Sequence, residues 1–160
     1  MTGRPRPRTG PRAARRAARL YAVQALFQRA AAGTPVPRLL REFHDHRLGV
    51  EVDDIDFGEA DRSFFDDLVA GTVAREAEID RLIAARLAEG WTLARLDPLM
   101  HQLLRAGIYE LLARPDVPRA AVVSEYADLA HAFYDEAEAG FANALLDRLG
   151  RELRPAGEGG

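Results

Sequence analysis

Apolar side chains recur every three or four positions along most of the chain, which is the spacing of an amphipathic helix. The clearest stripe consists of Leu99, Leu103, Leu104, Ile108, Leu111 and Leu112. Asp97 and Pro98 stand directly before it and form a typical helix cap and first turn. The alternation of apolar and polar residues that a half-buried strand needs is not sustained in any segment. The pattern therefore predicts an all-α protein with a central helix that begins near Pro98.

Glycine and proline divide the rest of this pattern into six or seven helices. The first is predicted from about Arg12 to Ala32, where Gly33 ends it. A long helical region follows from Glu59 to Leu87, with a break near Gly71 and an end at Gly90. The other apolar runs lie around Leu39, from Val122 to Phe133 and from Phe141 to Leu149.

The two ends of the chain differ from this helical region. Residues 1–11 combine Arg, Pro and Gly without a large apolar side chain, and residues 150–160 are rich in glycine. Such segments bury too little surface to offset the entropy lost on ordering. We therefore predict a flexible basic arm at 1–11, one helical domain at 12–149 and a flexible tail at 150–160.

Composition excludes several classes of protein. The 160 residues contain no cysteine, so neither disulfides nor thiolate metal sites are available. No apolar run approaches the roughly 18 residues that cross a bilayer, and the N-terminus lacks the features of a secretory signal. We expect a cytoplasmic protein without a membrane segment.

Charge is distributed unevenly along the chain. The net charge is −3, yet the first 41 residues contain ten arginines and no acidic residue. Arg12, Arg15, Arg16 and Arg19 fall within an arc of roughly 100° on a helix, and this arc continues into Val23, Leu26 and Phe27. Burying several guanidinium groups would be costly, so the first turns of this helix are expected to project beyond the core.

A projecting arginine-rich helix preceded by a basic arm favours a nucleic-acid ligand. Guanidinium groups pair with phosphates, and Phe27 or Tyr21 offers a platform for an unpaired base, which favours single-stranded RNA. If four phosphates are neutralised, raising the salt from about 50 to 200 mM should weaken binding about 50-fold. Two simpler interpretations stay open: the arginines form a solvated flank, and Phe27 packs in the core.

Other candidate sites are weak. The glycines are scattered rather than gathered in a phosphate-binding loop, and Ser63 and Ser124 have no hydrolase motif around them. His44 and His46 are two positions apart, so on a helix they point in different directions and cannot share a metal ion. Tyr109 and Glu110 on the central helix are interpreted as a buried aromatic beside a polar neighbour, and Trp91 is expected to be a packing anchor. We predict no catalytic residue, cofactor or metal site.

The region from 12 to 149 resembles the NusB family of transcription antitermination factors. Five segments carry the resemblance, in family order: Arg15-Arg16-Ala17-Ala18-Arg19 with Ala22-Val23-Gln24-Ala25-Leu26-Phe27, then Phe65-Asp66-Asp67-Leu68-Val69-Ala70-Gly71, then Leu104-Arg105-Ala106-Gly107-Ile108-Tyr109-Glu110-Leu111, then Pro118 with Val122, Glu125, Leu129, Ala130 and Phe133, and finally Gly140-Phe141-Ala142-Asn143-Ala144-Leu145-Leu146-Asp147. Each segment by itself is partly generic helix. Their order and spacing together make chance a poor explanation.

The resemblance implies two small packed helical bundles and a non-catalytic protein. It also implies binding to boxA-type RNA of ribosomal RNA transcripts, partnership with the ribosomal protein NusE and a place in the RNA polymerase antitermination complex. The family's RNA contacts fall on Arg15, Arg16, Arg19 and Phe27. At position 27 relatives often have tyrosine. Helix geometry adds Arg12 to this set. The alternatives are a helical scaffold that binds only proteins, and the RNA-binding module of a methyltransferase-related protein, although no Gly-rich βαβ segment for a methyl donor is present.

Overall fold

The computed structural model of the protein describes residues 11–48 and 57–155. Within these residues the chain forms seven α-helices and no strand. The helices are α1 (Pro11–Ala32), α2 (Val36–Phe43), α3 (Glu59–Ala74), α4 (Glu76–Ala84), α5 (Pro98–Ala113), α6 (Arg119–Phe133) and α7 (Glu136–Leu153). A π-helical turn, His44–Leu48, follows α2, and a 3-10 turn, Leu93–Arg95, precedes α5. The prediction of an all-α fold is confirmed.

Local sequence signals set the end of α1 and the start of α5. Gly33 adopts a φ of 71° after α1, and its N–H donates to the carbonyl of Arg29 at 2.8 Å. Gly90 has a φ of 87° in the connection after α4. These backbone conformations favour glycine because it has no Cβ. At the start of α5 the carboxylate of Asp97 accepts a hydrogen bond from the N–H of Met100 at 3.3 Å, as its capping role predicts.

Helix α5 joins two groups of helices. It packs against α1, α3 and α4 on one side and against α6 and α7 on the other. Its central turns are almost fully enclosed, with Leu103, Leu104 and Ile108 each at 0% exposure. The apolar stripe identified in the sequence is therefore the shared core of two small bundles.

Two predicted boundaries are wrong. The break in the long helical region lies at Arg75 rather than near Gly71. Helix α7 continues through Gly150 to Leu153, so the folded part does not end at residue 149. A Cβ at Gly150 would lie 3.1 Å from the Arg119 side chain, and this glycine therefore serves close packing inside the helix. Residues 1–10 of the predicted arm and 156–160 of the predicted tail lie outside the described residues.

Candidate nucleic-acid interface

The first turns of α1 do not project beyond the core. Ala14, Ala17 and Ala18 are buried, and α1 packs against α3 and α5. The arginine-rich arc also faces the protein at Arg19, which is only 5% exposed. The prediction of a protruding helix was wrong because the fold supplies buried carboxylates that receive these guanidinium groups.

Arg19 forms a buried ion pair with Glu110 of α5. Its Nε and Nη2 atoms donate to the Glu110 carboxylate at 3.0 and 2.7 Å, and the Glu110 side chain has 0% exposure. The hydroxyl of Tyr126 donates to the same carboxylate at 2.9 Å. Burial by itself lowers the pKa of Arg19, but the hydrogen bonds and charge of Glu110 outweigh burial, so its pKa is raised. Arg19 thus holds α1 against α5 and α6.

Arg16 lies one turn earlier, at the edge of this cluster. Its Nε and Nη2 atoms donate to Glu125 of α6 at 3.1 and 2.8 Å, yet its side chain is 53% exposed. These hydrogen bonds hold the pKa of Glu125 below its ordinary value. Arg16 is therefore ion-paired on the side facing α6 and open to solvent on the other.

The other two predicted arginines occupy different environments. The Arg15 guanidinium lies 4.1 Å from the centre of the Phe64 ring, and its Nε is 3.8 Å from Asp61. Its side chain is 31% exposed. Arg12, in the first turn of α1, is exposed. Of the four arginines, Arg12 and Arg16 are thus exposed, Arg15 is partly exposed and Arg19 is buried.

Phe27 lies on the same exposed edge of α1. It is 39% exposed, so it does not pack fully in the core. It follows Arg16 by eleven positions, or three turns, which places it about 20° away around the helix and about 16 Å along it. We call the edge formed by Arg12, Arg16, Leu20 and Phe27 the α1 edge.

The acidic partners of the arginines were missed in the sequence. Glu110 was interpreted as a polar neighbour of a buried aromatic, and Glu125 was noted only within the family resemblance. One signal was available: Glu110 occupies the apolar arc of α5, where an unpaired carboxylate is expensive. Such a residue predicts a buried cationic partner without identifying it.

A second surface feature is an apolar groove between the α4–α5 connection and the start of α7. It has a volume of about 530 Å³, and Trp91, Leu96, Met100 and Phe141 are among its lining residues. Trp91 is 51% exposed and Phe141 38% exposed. The prediction of Trp91 as a packing anchor was wrong, since the helical pattern does not show which apolar positions are covered by a neighbour.

The histidines and acidic residues form ordinary polar contacts. His44 Nε2 lies 2.6 Å from Asp66, and His101 Nε2 lies 2.8 Å from Asp80. Within residues 11–48 and 57–155, no group of three His, Cys, Asp or Glu side chains is arranged to hold a metal ion. No helix of this part is long and apolar enough to span a bilayer.

These features define an all-helical protein in which an arginine-rich first helix is locked to two other helices by ion pairs. The profile of the NusB family matches residues 16–151. The transcription antitermination protein NusB of Sphingopyxis alaskensis is 58% identical over 140 residues, which are 88% of this chain and 94% of the relative. That of Novosphingobium aromaticivorans is 56% identical over 141 residues, or 88% and 95% of the two chains. The chain belongs to the NusB family.

Solved structures agree with this assignment. NusB of T. maritima superimposes with a TM-score of 0.76 at 27% identity, covering 95% of this chain and 98% of that one. A crystal structure of antitermination factors NusB and NusE in complex with double-stranded RNA gives a TM-score of 0.74 at 22% identity, covering 88% and 98%. The second likeness shows the fold alone.

Proposed function

We propose that this protein is a non-catalytic transcription antitermination factor of the cytoplasm. In this proposal it binds single-stranded boxA-type RNA of ribosomal RNA transcripts together with a NusE-type ribosomal protein, as part of the RNA polymerase antitermination complex. Close relatives are named transcription antitermination proteins. The observation that carries the RNA proposal is the α1 edge, where exposed guanidinium groups and an exposed aromatic ring lie in one line.

The length of the α1 edge suits several nucleotides. From Arg12 to Phe27 it extends about 22 Å, because each helical residue adds about 1.5 Å. Arg12 and Arg16 are placed to contact phosphates, and Phe27 is placed to stack on an unpaired base. Phenylalanine lacks the hydroxyl of tyrosine, so this contact is stacking without a hydrogen bond.

The buried members of the arginine set take another role in this proposal. Arg19 and Glu110 fix the rotation of α1, so that Arg16 and Phe27 face solvent together. Arg15 packs on the Phe64 ring, and only the exposed 31% of its side chain is accessible to RNA. We therefore assign direct RNA contact to Arg12, Arg16 and Phe27, assign a peripheral contact to Arg15, and assign Arg19 to positioning.

Phe27→Ala is expected to weaken binding to a boxA-type RNA at least about fivefold, because stacking of one base on an aromatic ring contributes roughly 1–3 kcal/mol. Fluorescence anisotropy with labelled RNA measures the loss. Phe133→Ala is the matched control, since Phe133 is 40% exposed but lies on α6. An equal loss in both variants, or none in either, would argue against stacking at Phe27.

The same titration at two salt concentrations distinguishes phosphate contacts made by Arg12 and Arg16 from phosphate contacts made by other arginines. Two phosphates on Arg12 and Arg16 account for at most about a sevenfold loss of affinity between 50 and 200 mM salt. A larger loss assigns the remainder to the peripheral Arg15 and to Arg4, Arg6 and Arg8, the last three of which precede the described residues. A protein-only scaffold, the alternative function, would show no salt-sensitive RNA binding at all.

For the NusE-type partner we propose the apolar groove. Its exposed Trp91 and Phe141 give it the aromatic character that anchors protein interfaces. A crystal structure of the same fold contains antitermination factors NusB and NusE together in complex with double-stranded RNA, which supports such a partner.

Trp91→Ala is expected to weaken binding to the NusE-type protein about 30-fold, the loss typical of an aromatic hot spot. Isothermal titration calorimetry with the two purified proteins tests this. Phe27→Ala should leave this affinity unchanged, just as Trp91→Ala should leave binding of RNA alone unchanged. If Trp91→Ala binds the partner with wild-type affinity, the groove is not the docking surface.

A further inference from the structure

The guanidinium of Arg16 is held by two carboxylates of α6. Glu125 accepts from Nε and Nη2 in a two-point contact, and Asp128 lies 3.6 Å from the same Nη2. Glu125 and Asp128 are three positions apart, so both face α1 from adjacent turns of α6. Arg16, on the exposed α1 edge, thus lies beside two negatively charged side chains.

The Glu125 side chain is held in position by its neighbours. Its side chain is only 12% exposed, and a second guanidinium, that of Arg19, lies 3.4 Å from its Oε1. Its pKa is lowered by the hydrogen bonds from Arg16, so it is ionised at neutral pH. A fixed carboxylate occupies one edge of the Arg16 guanidinium and cancels much of its charge.

We infer that Glu125 is an intramolecular counter-ion that competes with RNA phosphate for Arg16, and that it thereby sets the RNA affinity of the α1 edge. A phosphate that approaches Arg16 must displace this carboxylate or accept its repulsion. Because Arg16 is already neutralised by the protein, fewer salt ions are released when RNA binds. This inference rests on the RNA binding proposed above.

A positioning role for Glu125 would have the opposite consequence. If the carboxylate served only to aim Arg16 at the RNA, any weakening of the contact would weaken binding. Glutamine distinguishes the two roles, because it keeps the shape and one acceptor oxygen of glutamate but removes the charge. Glu125→Gln therefore keeps one of the two hydrogen bonds that hold Arg16 while ending the competition.

Glu125→Gln is expected to tighten binding of a boxA-type single-stranded RNA about threefold to fivefold, the range of a surface ion pair. The plot of log affinity against log salt should also steepen by up to about 0.7, the contribution of one further phosphate on a single strand. An unrelated single-stranded RNA of equal length should gain by a similar factor, since the competition concerns phosphate rather than base.

Two further variants exclude a general effect of charge. Asp147→Asn removes one negative charge from an exposed ion pair on α7 and should leave RNA affinity unchanged. In an Arg16→Ala background, Glu125→Gln should lose its effect, because the competed group is gone. Circular dichroism and thermal melting establish that each variant is folded.

The outcomes separate this inference from the proposed function. If the wild-type protein binds RNA and Arg16→Ala weakens it, but Glu125→Gln binds equally or more weakly, the counter-ion role is overturned and RNA binding stands. A gain that persists without Arg16, or that Asp147→Asn reproduces, overturns it as well. If wild-type protein binds neither RNA at 50 mM salt, with or without the NusE-type protein, the proposed function and the inference both fall.

Discussion

Arg19→Ala is expected to destabilise the protein by about 3–5 kcal/mol, the loss typical when one partner of a buried ion pair is removed. The variant leaves the Glu110 carboxylate at 0% exposure with only the Tyr126 hydroxyl to replace the guanidinium. The melting temperature should fall by roughly 10 °C or more for a chain of this size. Chemical denaturation and calorimetry both measure the effect.

Two further variants test the cause of this loss. Arg38→Ala removes a guanidinium from an exposed pair with Glu42 and should change stability by less than about 1 kcal/mol. The double variant Arg19→Met/Glu110→Met, which leaves no uncompensated charge, should be more stable than Arg19→Ala. A loss at Arg19 no larger than at Arg38 would show that the buried pair does not hold α1 in place.

This expectation also limits which substitutions can probe RNA binding. In the sequence Arg15, Arg16 and Arg19 share one face of a helix, which suggests replacing all three together to test RNA binding. In the folded protein that triple variant would lose stability through Arg19, so a loss of RNA affinity would have two causes. Arg16 and Phe27 on the exposed edge can be replaced without opening the core.

Arg154→Ala is the second substitution with a large expected effect, about 2–5 kcal/mol of stability, because it leaves buried carbonyl groups without a donor. Arg154 is 5% exposed, and its guanidinium donates to the carbonyls of Leu111, Glu110 and Arg114 at 3.0, 3.3 and 2.7 Å and to that of Val117. These carbonyls lie at the end of α5 and in the turn before α6. Without the guanidinium the carbonyls of Leu111 and Val117 lose this donor, whereas those of Glu110 and Arg114 still accept from backbone N–H groups. Each carbonyl left buried and unsatisfied costs roughly 1–3 kcal/mol.

Arg151→Ala provides the comparison for this position. Arg151 lies three residues earlier on α7, and its exposed side chain pairs only with Asp147 four positions away among the described residues. Its replacement should cost less than about 0.5 kcal/mol. A chain shortened to end at Leu149, the boundary predicted from sequence, should be at least as unstable as Arg154→Ala. Wild-type melting of either would contradict the role of Arg154.

Some of this structure could be predicted because its causes are local. Asp97 accepts from an N–H three residues away, and Gly33 needs only its own backbone freedom to end α1. The apolar stripe of α5 is a property of one helix. Signals of this kind act over a few residues and can be identified in a single sequence.

The errors involve partners that are distant in the chain. Arg19 and Glu110 are 91 positions apart, so helix periodicity places each on a face without showing that the two faces meet. The same limit applies to Trp91, since an apolar side chain is a packing anchor only if another element covers it. Gly150 was assigned to the flexible tail, although it lies within α7 and Arg119 of α6 packs against it.

The sequence alone determined that the protein is all-helical, where α1 ends and α5 begins, which helix forms the core, and which family it resembles. Only the tertiary structure decided which arginines face solvent and which are neutralised within the protein. The physical reason is that the environment of a charge depends on the nearest opposite charge in space. Helix packing brings Glu110 and Glu125 to α1 from distant parts of the chain. The local sequence pattern does not show which distant residues will lie next to α1.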